Sequence, residues 1–188
     1  LREIVGHLRA HDVSAVGISG RDGGTLKAQL LTTLVDGTEV DLGRVGEVVA
    51  VDISLIKSLL QSNFIPVISP IAVEFDGEIE FAKHGLNVNA DLAAAAIAGE
   101  LDANDLIFMT DVSGIYRNWP NEDSLIEKIS FAELNEIKGQ FDGGMAPKVK
   151  ACLDAISKGA KQVRIIDGRN PKSLSDALHG TGGTVVSA

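Results

Sequence analysis

The sequence predicts an α/β protein, a three-layer αβα sandwich with a mainly parallel central sheet and β-hairpin decorations. The first observation is that strand-like apolar runs alternate with helix-like runs along most of the 188 residues. The second is that strand-like runs such as FIPVISPIAV (64–73) and NDLIFMTDV (104–112) are largely apolar, as core strands are. The third is that two Asp-Gly pairs lie between alternating segments, where they favour hairpin turns.

The first half of the chain contains strand, hairpin and helix patterns in succession. In chain order we predict a helix in LREIVGHLRA, a strand in VSAVGIS (13–19), a hairpin from LKAQLLTTLV (26–35) to the segment from Thr38, a helix over 52–63, a core strand over 64–73 and a second hairpin in FDGEIEF. GISGRDGG has its glycines at the wrong spacing for a dinucleotide site, so we interpret it as a tight turn.

The second half begins with HGLNVNAD (84–91), in which apolar and polar residues alternate as in a strand with one polar side. An Ala-rich helix over 90–100 follows. We then predict a core strand over 104–112, a polar loop in SGIYRNWPNED, a helix in FAELNEIKG, a helix over 145–159 that stops at Gly159, a strand in AKQVRIIDG, a helix in PKSLSDALHG and a closing strand in GTVVSA.

Composition excludes several functions. The net charge of −9 argues against nucleic acid or an anionic membrane as the main partner. No apolar run approaches the length of a membrane span, and the single cysteine, Cys152, suits a reducing cytoplasm. The four histidines form no metal-ligand spacing, so we predict no metal site built from side chains.

Three loop–helix or strand–loop junctions concentrate the polar residues: NVNAD (87–91), TDVSGIY (110–116) and FDGGMAPKVK (141–150). In an α/β sheet, ligands bind where such loops converge, and helix N-termini favour phosphate. A lysine in the first turn of a helix opposes the helix dipole, so Lys148 is better explained by an anionic ligand than by helix stability. Together the junctions predict a phosphate site.

These motifs together resemble one family. HGLNVNAD with its Ala-rich helix, LIFMTDVSGIY, GGMAPKV and the closing IIDGR and GTVV are similar to the acetylglutamate kinases of the amino acid kinase family. VDLGRVGEV (40–48) and YRNWPNEDSL are similar to actinobacterial members. The resemblance runs the length of the chain. It implies the carbamate kinase-like fold and ATP-dependent phosphorylation of the γ-carboxylate of N-acetyl-L-glutamate, the second step of arginine biosynthesis.

The resemblance also assigns roles to residues. Asn87 resembles the asparagine that binds the acetylglutamate α-carboxylate, and Asn89 lies beside it. Asp91 resembles the aspartate that holds catalytic lysines, and Lys148 resembles the lysine that stabilises charge on the moving phosphoryl group. The residues similar to nucleotide-surrounding segments are Thr110, Asp111, Val112, Ser113, Gly114, Ile115, Tyr116, Gln140, Phe141, Asp142, Gly144 and Met145.

The residue types suit this chemistry. A carboxylate nucleophile is already an anion, so no general base is needed and the lack of a catalytic histidine is expected. Catalysis then consists of alignment and charge neutralisation, with Lys148 and the Mg²⁺ of ATP, held mainly through the phosphates, offsetting negative charge. Asn87 and Asn89 can donate to an anion without adding net charge.

The resemblance covers the larger, C-terminal part of the family's sequence. Family members begin with a strand carrying a catalytic lysine, a Gly-rich loop and a substrate-binding arginine, none of which lies here. We therefore interpret 1–188 as one amino acid kinase domain lacking its N-terminal portion, with 1–90 on the acyl-substrate side and 91–188 on the nucleotide side. Alone it is expected to be inactive.

Two alternative functions stay open at this point. One is a sister kinase acting on another carboxylate, such as aspartate or carrier-linked aminoadipate. The other is a non-catalytic nucleotide-binding fragment. By analogy with the family, a homo-oligomer is expected, either a dimer or a hexamer.

Overall fold

A computed structural model describes residues 1–188 apart from 34–38, 40, 76–79 and 142 and the side chains of 80–83. Helices and strands alternate, which confirms the predicted α/β class. The chain divides into two compact units, Leu1–Ile97 and Ala98–Ala188. Within the residues described, no helix combines the length and the apolar character needed to cross a membrane.

The first unit holds a parallel strand pair and a small barrel. Its elements in chain order are α1 (Arg2–Ala10), β1 (Ala15–Ser19), β2 (Leu26–Leu30), β3 (Val45–Val51), α2 (Ser54–Gln61), β4 (Ile65–Ser69), β5 (Ile71–Phe75), β6 (Glu80–Val88) and the start of α3 (Ala90–Glu100). Strands β1 and β4 pair in parallel, and α1 and α2 contact β1 and β4 respectively. The pair is parallel, as the sequence predicts for core strands, and within the described residues it forms a sheet of two strands.

Strands β2, β3, β6 and β5 close into a barrel, a feature that the sequence analysis did not predict. Its hairpin pairs are antiparallel, β2 with β3 and β5 with β6, whereas β3–β6 and β5–β2 are parallel. Ala28, Ala72 and Leu86 are fully buried inside it. A Cβ on Gly46 would lie 2.7 Å from Leu86 Cδ1, so position 46 has no room for a side chain beside this leucine.

Two predictions about this unit change in detail. The run 64–73, predicted as one strand, divides at Pro70 into β4, which pairs with β1, and β5, which pairs with β2 and β6. Both predicted Asp-Gly turns, at Asp36-Gly37 and Asp76-Gly77, lie outside the described residues. The strands on either side of each turn do pair antiparallel, as hairpin arms must.

The second unit is built on a sheet of order β10–β12–β11–β7. Its elements are the end of α3, β7 (Leu106–Thr110), β8 (Ile115–Tyr116), β9 (Leu125–Ile126), β10 (Lys128–Ser130), α4 (Phe131–Ile137), α5 (Met145–Ser157), β11 (Gln162–Asp167), α6 (Ser173–Leu178) and β12 (Thr184–Ser187). β7 pairs in parallel with β11 and β10 with β12, while β11 and β12 are antiparallel. The sheet is thus mainly parallel, as predicted.

Strand β11 is covered on both faces. Successive strand side chains point to opposite faces, yet Val163, Arg164, Ile165 and Ile166 are all buried. Helices α5 and α6 both contact β11, and the buried side of α5 includes Val149 and Cys152. The buried guanidinium of Arg164 donates from Nη1 to the carbonyl oxygen of Gly182 at 2.6 Å. The second unit therefore contains the helix–sheet–helix layering of the predicted sandwich.

The polar loop predicted in SGIYRNWPNED contains a short ribbon, which is a correction. β8 and β9 pair antiparallel, Ile115 opposite Ile126 and Tyr116 opposite Leu125. The Thr184 hydroxyl, fully buried on β12, accepts from the Ile115 N–H at 2.7 Å. The loop is therefore attached to the end of the main sheet.

Helix α4 begins with a reciprocal cap. The Ser130 hydroxyl accepts from the Glu133 N–H at 3.2 Å, and a Glu133 carboxylate oxygen accepts from the Ser130 N–H at 2.9 Å. Hydrogen bonds from the backbone and then the hydroxyl of Ser130 lower the pKa of Glu133 below its ordinary value of 4.5. The cap satisfies donors that a helix start leaves free.

Replacing Ser130 with alanine should lower the free energy of unfolding by about 1 kcal/mol near neutral pH, because the cap to the Glu133 N–H is lost. Since the folded pKa of Glu133 is depressed, the part of the stabilisation that comes from the bond of its carboxylate to the Ser130 hydroxyl is complete above 4.5 and is lost as the pH falls through the folded pKa, whereas the bond to the Glu133 N–H does not titrate. We therefore expect urea denaturation to show a smaller difference in the free energy of unfolding between the wild type and Ser130→Ala at about pH 4 than at about pH 7. Ser173→Ala, at a helix start without a side-chain cap, is the matched control and should change little.

Candidate functional site

A cavity of about 680 Å³ opens in the second unit. Its wall is formed by the loop after β7, the ribbon strand β8 and the segment that enters α5. The lining residues are Asp111, Val112, Tyr116, Arg117, Asn118, Trp119, Gln140, Phe141, Gly143, Gly144, Met145 and Lys148. This volume is within the range of small-molecule and cofactor sites.

One side of the cavity is the beginning of α5. No side chain caps this end in the part of the chain that the structure describes, and a Cβ on Gly144 would meet nothing within 4 Å. The backbone N–H groups of the first turn, which a helix cannot satisfy internally, are thus open to a ligand. Pro147 lacks an N–H and is tolerated in the first turn for that reason. Such a helix start favours an anion.

Lys148 supplies a cation on the same side. It lies in the first turns of α5, its side chain is half-buried, and it lines the cavity. Lys148 has no ion-pair partner among the residues whose positions are described. Because a cation in this position is unfavourable for the helix dipole, the arrangement is best explained by an anionic ligand.

The other side of the cavity is aromatic. The rings of Tyr116 and Trp119 pack edge to face, with centroids 5.1 Å apart and planes at 64°. Tyr116 is buried, whereas 63% of the Trp119 surface is exposed. An exposed indole at the wall of a cavity offers a flat apolar surface on which a planar ring can stack.

Hydrogen bonds to Thr110 fix the loop after β7. Thr110 Oγ1 accepts from the Val112 N–H at 3.1 Å, and the Gly168 N–H donates to the Thr110 carbonyl oxygen at 2.8 Å. On the neighbouring loop, Arg169 makes paired hydrogen bonds to Asp167 at 3.0 Å, which lower the pKa of the Asp167 carboxyl. Thr110 therefore positions the loop and does not line the cavity.

The predicted nucleotide residues divide into two groups. Asp111, Val112, Tyr116, Gln140, Phe141, Gly144 and Met145 line the cavity, together with the predicted catalytic residue Lys148. Thr110, Ser113, Gly114 and Ile115 are outside the lining, and Asp142 lies outside the described residues. Ile115 and Gly114 are buried against Thr184, where they hold the ribbon to β12.

The predicted acceptor residues lie in the first unit. Asn87 is an exposed residue of β6, opposite Val45 of β3. Asn89 Oδ1 accepts from the Leu92 N–H at 3.0 Å and so caps α3, which leaves its amide nitrogen for another contact. Asp91 lies half-buried in the first turn of α3. One of the three polar side chains of NVNAD is therefore the helix cap, and the roles of Asn87, Asn89 and Asp91 toward a ligand stay predictions.

Sequence reasoning missed four lining residues: Arg117, Asn118, Trp119 and Gly143. Arg117, Asn118 and Trp119 lie in SGIYRNWPNED, which was predicted only as a polar loop, and Gly143 lies in the predicted loop FDGG. A signal was present, because the one tryptophan of the chain lies between polar residues, where a ring of that size has no core to join. Gly143 has a φ of +51°, which glycine adopts without strain.

Among the described residues no group of three or more His, Cys, Asp or Glu side chains could hold a metal ion. The cavity does present one carboxylate, that of Asp111.

The chain is similar to curated acetylglutamate kinases. It is 49% identical over 177 residues to that of Paenarthrobacter aurescens, covering 92% of this chain and 56% of the relative. It is 43% identical over 189 residues to that of Corynebacterium urealyticum, covering 100% of this chain and 60% of the relative. The chain thus spans less than two thirds of the length of these relatives.

The fold of the chain and its family are both those of amino acid kinases. The carbamate kinase of Giardia lamblia bound to AMP-PNP superposes with a TM-score of 0.70 at 19% identity, covering 99% of this chain and 66% of the other. This likeness confirms the carbamate kinase-like fold. The model of the amino acid kinase family matches residues 1–167, which include all of the first unit and most of the second. The chain belongs to the amino acid kinase family.

Proposed function

We propose that this chain is part of an enzyme that transfers the γ-phosphoryl group of ATP to the γ-carboxylate of N-acetyl-L-glutamate, the second step of arginine biosynthesis. The observation that carries the proposal is one cavity that combines an uncapped helix start and Lys148 with an exposed aromatic wall. The names of the relatives at 42–49% identity support acetylglutamate as the acceptor.

The two sides of the cavity suggest how ATP would lie. The base would stack near Trp119, and the phosphates would point toward Gly144 and the first turn of α5. Lys148 then neutralises charge near the transferred phosphoryl group. The flexible single-atom charge of lysine suits a group that moves during the reaction.

The chemistry asked of the chain is charge neutralisation and alignment. The acceptor carboxylate is already a nucleophile, so no residue must remove a proton. Lys148 stabilises the negative charge that gathers on the phosphoryl oxygens in the transition state. Mg²⁺ would be held mainly through the phosphates, and the carboxylate of Asp111, which lines the cavity, could add a ligand. When bound, the ion adds to the same neutralisation.

The acceptor is assigned to the first unit. We propose that the Asn87 amide binds the α-carboxylate of acetylglutamate, that Asn89 donates from the nitrogen left free by its capping role, and that Asp91 orients lysines. Asn87 is exposed and lies opposite Val45, where β6 pairs with β3. The described residues contribute no hydrogen bond to its side chain.

The remaining proposals concern the whole enzyme. We propose that residues 1–90 serve the acyl substrate and 91–188 the nucleotide, within one amino acid kinase domain. The enzyme is proposed to be cytoplasmic and a homo-oligomer, a dimer or a hexamer.

Nucleotide binding can be followed through Trp119, the one tryptophan of the chain. Adding ADP to the full-length protein should saturably change the emission of Trp119, taken as the difference between the wild type and Trp119→Phe, because the base would lie against the indole ring. Trp119→Phe should remove the signal and bind ADP somewhat more weakly by calorimetry, since a smaller ring stacks less. Unchanged emission together with no calorimetric heat would contradict the nucleotide site.

Lys148→Met should lower kcat about 100-fold, roughly 3 kcal/mol, and raise the KM of either substrate far less, because the charge matters most in the transition state. Acyl phosphate formation measured as hydroxamate gives both constants. Lys150→Met is the matched control, since Lys150 is exposed on the same helix and lines a separate groove. Equal kcat values for the two variants would remove Lys148 from the mechanism.

Asn87→Ala should raise the KM for acetylglutamate about tenfold and leave that for ATP nearly unchanged, because an amide donor to the α-carboxylate acts in ground and transition states alike. Asn87→Asp keeps the size but repels a carboxylate, so its loss should be larger. Initial rates with each substrate varied in turn distinguish the two effects. A loss confined to ATP would place Asn87 on the nucleotide side.

A further inference from the structure

Thr184, the first residue of β12, has a hydroxyl that joins three strands. It is fully buried. Its Oγ1 accepts from the Ile115 N–H of β8 at 2.7 Å and donates to the Ile126 carbonyl oxygen of β9 at 2.6 Å. Both backbone partners are thus satisfied by one side chain, which neither valine nor alanine could replace.

The backbone around this hydroxyl leaves no room for adjustment. A Cβ on Gly114 would overlap Thr184 Oγ1, and a Cβ on Gly183 would overlap the Ile165 carbonyl oxygen. Gly183 has a φ of +71°, and the preceding Gly182 carbonyl accepts from the buried Arg164. The turn at Gly182 and Gly183 therefore fixes the position of the Thr184 hydroxyl, and the hydroxyl in turn fixes β8 through the Ile115 N–H.

The ribbon bears on the cavity because β8 leads directly into its aromatic wall. Tyr116 is a residue of β8, Trp119 follows it, and the two rings pack together. The side of the cavity at the start of α5 has no contact with Thr184 in the hydrogen bonds of the described residues. A change at Thr184 is therefore expected to act first on the aromatic side of the cavity, to which its hydroxyl is directly bonded through β8.

We infer that Thr184 is a positioning residue for nucleotide binding, which sets the aromatic wall formed by Tyr116 and Trp119 at the place where the base stacks. The inference rests on the proposed function, since it assumes that the cavity takes a nucleotide. It adds that recognition of the base depends on a buried hydroxyl outside the cavity, whereas recognition of the phosphates does not.

The test compares recognition of the base with recognition of the phosphates in the full-length enzyme. Thr184→Val should raise the Kd of ADP and the KM of ATP about tenfold, the lower part of what a base–aromatic stack contributes, and change Trp119 emission. Inhibition by inorganic tripolyphosphate, which has no base, should stay within about twofold of the wild type. Thr184→Ser keeps the hydroxyl and should restore ADP binding.

Val186→Ala is the control for lost stability. Val186 is fully buried on the same strand, so its truncation lowers the Tm without removing a ribbon contact, and ADP binding should persist. If Thr184→Val does not fold, ADP and tripolyphosphate binding are measured on Gly114→Ala instead. This substitution displaces β8 from the Thr184 hydroxyl while every hydrogen-bonding group remains, so the same selective loss of ADP binding is expected.

Three outcomes would overturn the inference. A folded Thr184→Val that binds ADP like the wild type shows that the wall is set elsewhere. Equal loss of ADP and tripolyphosphate shows general damage to the cavity. A wild type that binds neither ADP nor tripolyphosphate overturns the proposed function as well, whereas the first two outcomes leave it standing.

Discussion

The parallel pairing of β7 with β11 is the constraint on which the second unit depends. Thr110 lies opposite Asp167, so both strands end at the same edge and their polar loops leave side by side. Buried backbone groups need partners, and here the loops supply them to each other through Thr110 and Gly168. Asp111 can therefore face the cavity while the backbone beneath it is already satisfied.

An acidic protein with an anionic ligand must rely on local groups. The net charge of −9 would repel the ATP that we propose as ligand at long range, and the cavity would offset this repulsion at short range with Arg117, Lys148 and the N–H groups of α5. Recognition by such fixed donors depends on geometry more than on summed charge. An uncharged residue such as Gly144, which leaves the start of α5 open, can therefore contribute as much to the proposed phosphate site as a charged one.

The parts of the fold that could be predicted are those set by local sequence. The apolar spacing of α5 and its stop at Gly159 are contained in neighbouring residues, and so is the strand HGLNVN. The closure of the barrel was missed because it depends on Val45 meeting Asn87, far away in sequence. Trp119 was missed for the same reason. Its place in the cavity follows from the folding back of β8 on β9, to which its own loop composition gives no guide.

The burial of Cys152 allows the opening of the second unit to be followed by the reaction of its thiol. This side chain is fully enclosed on α5, and it is the one thiol in the chain. A thiol reagent can reach it only when the helix separates from the sheet, so the rate of alkylation counts those openings. The free energy of opening of this unit can thus be measured in the native protein, apart from that of the barrel, without denaturant.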